Sequence, residues 1–289
     1  MRIWPVCIPC IYDARAREIL ESSLKPDEKI YALTYLHRFL STASIHASTI
    51  GLASEAFRQV KGLIRNPDPY RDYKDRSNKY VEEKILPLVK ENLRGTEGYE
   101  RFRKLVIAAI NINVLDPGVP GYGELDVFLN DNLGLDQTAI AYRLLEEAEN
   151  IVYILDNAGE ALIDLLFVEE LARRNKEITV IAKSMPYQND VTVDEAIELG
   201  FPRFARVLGT GSDSGGLLPG EFTDTVLKAL KECDVAIAKG MAAYESMVEW
   251  SVPCRVIHIF MAKCMPVATS VGVKVREGVV MVRSPEVER

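Results

Sequence analysis

Apolar and polar positions follow two different rhythms along this chain of 289 residues. From residue 14 to about residue 110, apolar side chains recur three or four positions apart, as at Ala32, Leu36 and Leu40, which is the spacing of amphipathic helices. The sequence Asn-Pro-Asp-Pro-Tyr at 66–70 predicts a break between two of these helices. Further segments in this half are a predicted helix over 98–113, a loop over 116–123, and helical structure around 125–149.

From residue 150 onwards, short apolar runs alternate with amphipathic segments. The runs predict strands at 151–155, 178–182, 204–208, 235–238, 256–260 and 279–282, with helices at about 160–174, 192–199, 221–232 and 241–250. Near-continuous apolar strands joined by crossover helices are typical of a mostly parallel sheet covered on both faces. We therefore predict an α/β fold: a three-layer α/β/α core over 150–289, with an all-helical N-terminal subdomain over 1–149 packed on it.

Composition narrows the function classes. The net charge is −7 and the pI about 5.3, which argues against nucleic acid as a partner. No apolar run reaches the roughly 18–20 residues that span a bilayer, and the first residues lack the features of a signal peptide, so we expect a cytoplasmic protein with no membrane partner. A disulfide framework is not expected for five cysteines in a reducing compartment. The pattern leaves open whether the protein is a monomer or a homo-oligomer.

Polar residues follow the first two predicted strands of the α/β half. Asp156 and Asn157 come directly after the first strand, and Asp190 comes shortly after the second. Ligands of open α/β sheets bind at the carboxyl ends of strands, and carboxylate and amide oxygens suit Mg²⁺ or Mn²⁺ better than zinc. These three residues therefore predict a divalent metal site. The alternative is that Asp156 and Asn157 only cap the following helix.

The next two strands are followed by a glycine-rich loop and a lysine. The loop Gly209–Gly216 could hold phosphate on its backbone N–H groups, although its spacing matches no nucleotide-binding motif, and a tight surface turn is the alternative. Lys239 could pair with phosphate or be a solvated lysine at a strand end. Glu245 could orient Lys239 or a water molecule, or lie on the surface.

Cysteine and histidine give weaker signals. Cys7 and Cys10 form a Cys-x-x-Cys pair, which could be half a zinc site, a redox pair or buried structural thiols. Cys254 and Cys264 could complete a site only if folding brings them close. His258 lies within an apolar strand and is interpreted as a core residue, and the absence of a Gly-x-Ser-x-Gly motif disfavours a serine hydrolase.

The motifs together resemble the metal-dependent damage-control phosphatases of the "domain of unknown function 89" family, and most closely its archaeal branch with an N-terminal cysteine pair. The resemblance runs over nearly the whole chain. Its motifs are Cys7-Ile8-Pro9-Cys10, Asn66-Pro67-Asp68-Pro69-Tyr70, Ser77-Asn78, Asn113-Val114-Leu115-Asp116, Asp156-Asn157-Ala158-Gly159-Glu160, Asn189-Asp190, Thr210-Gly211-Ser212-Asp213 and Lys239-Gly240-Met241-Ala242. The Asp-Asn-x-Gly-Glu and Lys-Gly segments are the most specific of these.

The resemblance implies a helical N-terminal part, a three-layer core, and a divalent cation (Mn²⁺, Co²⁺, Ni²⁺ or Mg²⁺) held by Asp156, Asn157 and Asp190. It implies hydrolysis of sugar phosphates and other small phosphorylated metabolites. Residues matched to substrate binding are Asn113, Glu160, Gly211, Ser212 and Gly240. Lys239 and Glu245 match a Lys-Gly-x-x-Asn-aromatic-Glu motif as catalytic residues, but Ala243 replaces its asparagine, which puts the substrate and full activity in question.

The resulting hypothesis is metal-assisted hydrolysis of a phosphate ester, in which Lys239 and loop N–H groups stabilise charge on the phosphoryl oxygens. The attacking group is either water, which we favour, or a carboxylate, for which Asp156 and Asp213 are the candidates. Two alternatives remain: an S-adenosylmethionine-dependent methyltransferase, and a non-catalytic phosphometabolite-binding protein, to which Ala243 lends weight.

Overall fold

The computed structural model describes residues 1–112 and 131–285. The helices are α1 (Cys7–Glu21), α2 (Pro26–Ser41), α3 (Thr49–Ile64), α4 (Arg71–Tyr80), α5 (Leu86–Asn92), α6 (Gly98–Asn111), α7 (Thr138–Glu147), α8 (Glu160–Arg173), α9 (Val193–Leu199), α10 (Asp224–Glu232), α11 (Met241–Met247) and α12 (Met265–Val271). The strands are β1 (Leu133–Asp136), β2 (Asn150–Ile154), β3 (Glu177–Ala182), β4 (Arg206–Gly209), β5 (Val235–Lys239), β6 (Arg255–Met261) and β7 (Gly278–Arg283). A π-helical turn, Val81–Ile85, joins α4 to α5.

The strands form one sheet in the order β1-β7-β6-β5-β2-β3-β4. The five strands from β6 to β4 are parallel, while β7 pairs antiparallel with β6 and parallel with β1. The chain passes from β2 to β3 and β4 on one side, then crosses back to β5 on the other side of β2. The carboxyl ends of β2 and β5 therefore form the switch point at which such sheets bind ligands.

Each face of the sheet carries its own apolar layer. Alternate residues of β2 point to opposite faces: Tyr153 packs with Leu105 of α6 and Phe167 of α8, whereas Val152 packs with Leu230 of α10. The predicted three-layer α/β/α core is confirmed. Helices α1, α2 and α3 form a separate apolar cluster, with members Ile11, Ala16, Ile19, Ala32, Leu36, Leu40, Ala56, Val60 and Ile64.

One element of the sheet was predicted wrongly. Residues 133–136 fall in a segment predicted to be helical, but they form the edge strand β1. Four residues are too few to show a strand rhythm, and the helical spacing of α7 follows at once. The division into an N-terminal subdomain that ends at residue 149 and a core that begins at residue 150 stays a prediction. Strand β1 lies before this boundary but belongs to the sheet of the core. The predicted loop 116–123 lies outside the described residues. No helix within 1–112 or 131–285 is both long and apolar enough to cross a membrane.

Candidate active site

The loops that follow β2 and β3 are joined by backbone hydrogen bonds. Ala158 N donates to Asn189 O at 2.8 Å, and Val191 N donates to Asp156 O at 2.9 Å. Asn157 and Asp190 form an isolated bridge between the two loops. The structure thus brings together Asp156, Asn157 and Asp190, whose side chains the sequence predicts as metal ligands.

These three side chains are buried, with Asp156, Asn157 and Asp190 only 8%, 6% and 5% exposed. The Asn157 amide nitrogen donates to Asp156 Oδ2 at 2.7 Å and to Glu160 Oε2 at 3.3 Å. Because the amino group is used in these two bonds, Asn157 Oδ1 is the atom of this amide that is available to a cation. Lys183 Nζ lies 3.3 Å from Asp190 Oδ2. Two buried carboxylates and an amide oxygen fit a cation of the Mg²⁺ or Mn²⁺ type.

The donor set differs from a zinc site. Among the residues that the structure describes, no group of three or more His, Cys, Asp or Glu side chains is placed to hold a metal ion. Asp156, Asn157 and Asp190 supply only two carboxylates, so water and substrate oxygens would complete the coordination of a divalent cation. This arrangement leaves room for a phosphoryl oxygen, as substrate-binding Mg²⁺ sites usually do.

Gly240 fixes the position of the Asp156 carboxylate. Its φ of +81° lies in the region that favours glycine, and its N–H donates to Ile259 O at 3.1 Å. A Cβ atom at this position would lie 2.1 Å from the Asp156 carboxylate. The glycine of the Lys-Gly pair therefore allows the end of β5 to approach Asp156. Its assignment to substrate binding stays a prediction.

Lys239 lies beneath the site, with its side chain inaccessible to solvent. Its ammonium group forms ion pairs with Glu160 and, at 2.8 Å, with Asp164, which also accepts a hydrogen bond from Tyr153 Oη at 2.6 Å. A continuous chain of contacts therefore runs from Tyr153 through Asp164, Lys239 and Glu160 to Asn157. This geometry favours a role for Lys239 and Glu160 in holding Asn157 over the predicted contacts with substrate.

The charges in this cluster determine each other's ionisation. Burial raises the pKa of Asp164, the Lys239 ammonium lowers it, and the balance is a pKa of about 6. Burial alone would lower the pKa of Lys239, but Asp164 and Glu160 outweigh it and raise that pKa. Lys239 is therefore a permanent cation in the core. Such a charge is tolerated only while its carboxylate partners remain.

A cavity of about 260 Å³ opens above the three predicted metal ligands. Asp156, Asn157 and Asp190 form part of its floor, and α1, α3 and α11 form its walls. Glu245 of α11 also lines the cavity and is 5% exposed. Burial raises its pKa from an ordinary value near 4.5 to about 7; the terminal ammonium of Met1 lowers it and Glu249 raises it. A carboxyl with such a pKa can donate or accept a proton at neutral pH.

The glycine-rich loop uses its backbone N–H groups internally. Gly211 N donates to Ser184 Oγ at 2.6 Å, Ser212 N to Thr210 Oγ1 at 3.4 Å, and Gly215 N to Ser54 Oγ at 3.0 Å. These three donors are therefore committed to protein acceptors. The loop is absent from the lining of the 260 Å³ cavity, although Thr210, Gly215 and Gly216 line a void of about 10 Å³ with Asp156 and Lys239. The geometry favours the alternative reading of a tight turn, and substrate binding by Gly211 and Ser212 stays a prediction.

Asp213 anchors α3 to this loop. Its Oδ1 accepts from Arg58 Nε and its Oδ2 from Lys61 Nζ, both at 2.7 Å. Burial raises the pKa of Asp213, but the bonds from Lys61 and Arg58 outweigh burial and lower it. Asp213 is absent from the described lining of the cavity. Its geometry therefore favours an anchoring role over the predicted role as nucleophile.

Other predicted residues are spread over several environments. Cys7, Cys10 and Cys264 line the cavity, whereas Cys254 lies in the apolar layer that packs with α10. Ala243 lies in that same layer and is absent from the lining of the 260 Å³ cavity, but it lines a void of about 10 Å³ with Asp156 and Lys239, so the effect of replacing the motif's asparagine stays a prediction. His258 is fully buried, and burial followed by Arg283 lowers its pKa to about 3, as expected of a core histidine. Asn113 lies outside the described residues.

Two contributors were not predicted from sequence. Asp164 is a carboxylate among the buried positions of α8, one turn after Glu160, and a charged residue in an apolar helix stripe was the signal. Arg15 occupies a buried position of α1, 2% exposed; its guanidinium lies 4.6 Å from the Phe57 ring centre and 2.7 Å from Glu18 Oε1. Arg15 also lines the cavity, four residues after Ile11 on the apolar stripe of α1.

The sequence and the fold are similar to those of known proteins. The family model described as the damage-control phosphatase ARMT1-like domain matches residues 3–279. The chain belongs to the damage-control phosphatase family. It is 30% identical, over 98% of its length and 99% of the relative, to a damage-control phosphatase of Archaeoglobus fulgidus. The identity is 26%, over 94% and 95%, with a damage-control phosphatase of Pyrococcus horikoshii.

Two further similarities extend this comparison. An uncharacterized protein of Methanocaldococcus jannaschii is 34% identical over 78% of this chain and 77% of its own. The crystal structure of a "domain of unknown function 89" family protein from Pyrococcus horikoshii superimposes with a TM-score of 0.85 at 23% identity, covering 97% of this chain and 99% of that one. That structure supports the fold, and the family model and relatives identify the chain as a phosphatase, which is a hydrolase.

Proposed function

We propose that this phosphatase hydrolyses small phosphorylated metabolites with the help of a divalent cation held by Asp156, Asn157 and Asp190. The observation that carries the proposal is the convergence of these three buried side chains on the floor of one cavity. Mg²⁺, Mn²⁺, Co²⁺ and Ni²⁺ are the candidate cations, because all of them accept carboxylate and amide oxygens. When bound, such a cation would neutralise phosphoryl charge and make a water molecule more acidic.

The residues of the chain supply orientation and proton transfer. Lys239 and Glu160 hold Asn157 from below, and Gly240 lets Asp156 lie close to the end of β5. Glu245, buried in the cavity wall with a pKa of about 7, is the candidate to donate a proton from its carboxyl group to the departing ester oxygen. We favour water over Asp156 as the attacking group, because Asp156 Oδ2 accepts from Asn157 and the carboxylate packs against Gly240.

The two alternative functions have less support. The N–H groups of Gly211 and Gly215 donate to serine hydroxyls. The reason for expecting an S-adenosylmethionine site at the glycine-rich loop is thereby removed. Ala243 is absent from the lining of the 260 Å³ cavity but lines a small void with Asp156 and Lys239, so a protein that binds without turnover stays the alternative that the phosphate-release test decides.

The test is phosphate release after chelator treatment and the addition of single metals, from a panel of sugar phosphates, phosphopantetheine compounds and 4-nitrophenyl phosphate. We expect release that needs one of the four cations and is abolished by Asp156→Ala. The control is Asp224→Ala, which removes an exposed carboxylate at the start of α10. Metal-independent release, or full activity of Asp156→Ala, would contradict the proposed site. The stereochemical course at phosphorus separates the two attacking groups, and it can be followed with a phosphorothioate ester chiral in ¹⁶O and ¹⁸O that is hydrolysed in ¹⁷O-labelled water. Direct attack by water inverts the configuration, whereas two displacements through Asp156 retain it.

A further inference from the structure

The cavity has a polar floor and an apolar wall. The floor consists of the metal-ligand side chains at the ends of β2 and β3, as described above. The wall opposite is built from two helices of the N-terminal bundle, with Ile11 and Ala14 from α1 and Ile50 and Ala53 from α3. Met241 and Pro266 extend the apolar surface on the other side.

Two polar side chains, one from α1 and one from α3, also belong to this wall, and both are buried. Thr49 and Arg15 both line the cavity, but the Thr49 hydroxyl oxygen and Arg15 Nε are inaccessible to water. The guanidinium of Arg15 lies over the Phe57 ring and forms an ion pair with Glu18. A ligand against the part of the wall built by α1 and α3 therefore meets mainly carbon and sulfur atoms, while Gln188 and Lys263 supply polar groups elsewhere in the lining.

The size of the cavity limits what it can hold. Its volume of about 260 Å³ is just below the roughly 300–1,000 Å³ of clefts that bind drug-sized ligands. The cavity is open to solvent on one side, so a phosphate placed over Asp156 and Asp190 leaves enclosed space for only the first few carbon atoms of the organic group. That group would extend from the floor towards Ile50 and Ala53.

Because the floor of the cavity is polar and the wall opposite is apolar, we infer that the preferred substrate is a small phosphomonoester whose organic part is apolar, not polyhydroxylated. The inference rests on the proposed phosphatase function at this cavity. Sugar hydroxyls directed at Ile11, Ile50 or Ala53 would lose their hydrogen bonds to water without gaining partners, which is costly for buried polar groups. An alkyl or aryl group would instead exchange water for apolar contact.

A series of alkyl phosphates tests this with the leaving group held nearly constant. Along ethyl, n-propyl and n-butyl phosphate, we expect kcat/KM to rise about fourfold for each added methylene group. n-Propyl phosphate and glycerol 1-phosphate share a three-carbon skeleton and differ in two hydroxyl groups. We expect n-propyl phosphate to be preferred by more than about tenfold. Equal kcat/KM values along the alkyl series, or a higher kcat/KM for glycerol 1-phosphate than for n-propyl phosphate, would overturn the inference.

Variants of the wall connect the preference to these residues. Ile50→Thr and Ala53→Ser, combined, replace apolar groups by hydroxyls and should bring the two three-carbon substrates closer by roughly fivefold or more, through KM more than kcat. Ala139→Ser makes a matched change at an exposed position of α7 and should leave the ratio unchanged. An unaltered ratio in the double variant, with an unchanged melting temperature, would refute the role of this wall.

The same assay separates failure of the inference from failure of the proposed function. 4-Nitrophenyl phosphate has a good leaving group and serves as the reactive reference. If it and all alkyl phosphates release no phosphate with any of the four cations, the phosphatase site itself is refuted, and the inference with it. If it is hydrolysed while glycerol 1-phosphate exceeds n-propyl phosphate, only the inference is refuted.

Discussion

The ammonium group of Lys239 lies 2.8 Å from the carboxylate of Asp164, and solvent reaches neither side chain. Glu160 completes the cluster and joins it to Asn157. The lysine of the Lys-Gly motif is thus part of the support beneath the candidate metal site. A lysine that bound phosphate directly would have to reach the 260 Å³ cavity, and Lys239 is absent from its described lining and pairs with Asp164 and Glu160 instead.

Replacement of Lys239 by methionine should destabilise the protein strongly and in a pH-dependent way. Lys239→Met leaves Asp164 and Glu160 buried without a cation, for which we expect a loss of about 3–5 kcal/mol in the free energy of unfolding at pH 8. The loss should shrink towards pH 5, because burial raises the pKa of Asp164 and its carboxyl group can then be neutral. Urea unfolding at the two pH values measures this.

A second substitution identifies the cause. Asp164→Asn in the Lys239→Met background removes one of the two stranded charges and should recover part of the lost stability at pH 8. An equal loss at both pH values, or a loss within error of zero, would mean that Lys239 has no supporting role.

Glu245 should control the pH dependence of turnover. If its protonated carboxyl donates to the leaving group, kcat falls as pH rises through the pKa of this group, which is about 7 without a cation and which a cation in the same cavity would lower. Glu245→Gln should remove that limb and lower kcat by about 10²–10⁴-fold. The pH profile of kcat for both proteins, with one metal held saturating, is the measurement. A profile that keeps the same limb in Glu245→Gln would assign the proton to another group.

The raised pKa of Glu245 also has a consequence for stability. Folding favours its protonated form, so its stabilising contribution is complete below the ordinary pKa near 4.5 and is lost as pH rises through about 7. Glu245→Gln should therefore be more stable than the natural protein at pH 8, by up to about 3 kcal/mol, with the difference vanishing below pH 4.5. Thermal unfolding across this range tests it, and a difference independent of pH would contradict the burial of an ionisable carboxyl.

Gly240 should be sensitive to the smallest enlargement. In Gly240→Ala the new methyl group would overlap the Asp156 carboxylate and displace it, so we expect weaker metal binding and a loss of turnover. Gly272→Ala is a partial control. It also places alanine at a positive φ, +73°, and no atom lies within 4 Å of the new Cβ, but its ψ of +31° is the milder left-handed helical region and not the +159° of Gly240. Calorimetric titration of Mn²⁺ compares them, and equal losses in both variants would attribute the effect to strain alone.

Asp213 should matter for stability more than for chemistry. Asp213→Asn weakens the partly buried ion pairs to Arg58 and Lys61, which we expect to cost about 1–3 kcal/mol in unfolding free energy. With a metal present and below the melting temperature, kcat should change little. A loss of turnover as complete as that of Asp156→Ala would restore Asp213 as a nucleophile.

The sequence predicted the structure where a local pattern of residues is compatible with only one kind of element. Continuous apolar runs predicted β2 to β7, and the residues after β2 and β3 were expected to meet because parallel strands end at one edge. The edge strand β1 was missed because four residues beside a helix give no rhythm. The environment of Lys239 was missed for a different reason. A lysine after a strand reads as exposed, and only packing against α8 reveals the acids that bury it.

The separate apolar cluster of α1, α2 and α3 has a consequence for how this protein can diverge from its relatives. The helices that supply Ile11 and Ile50 draw much of their packing from one another, while the side chains at the ends of β2 and β5 depend on the sheet. Changes of shape in the bundle can therefore accumulate with little effect on the charges beneath Asn157. Substitutions in the helical bundle can change which substrate enters the cavity while the side chains at the ends of β2 and β5 stay the same.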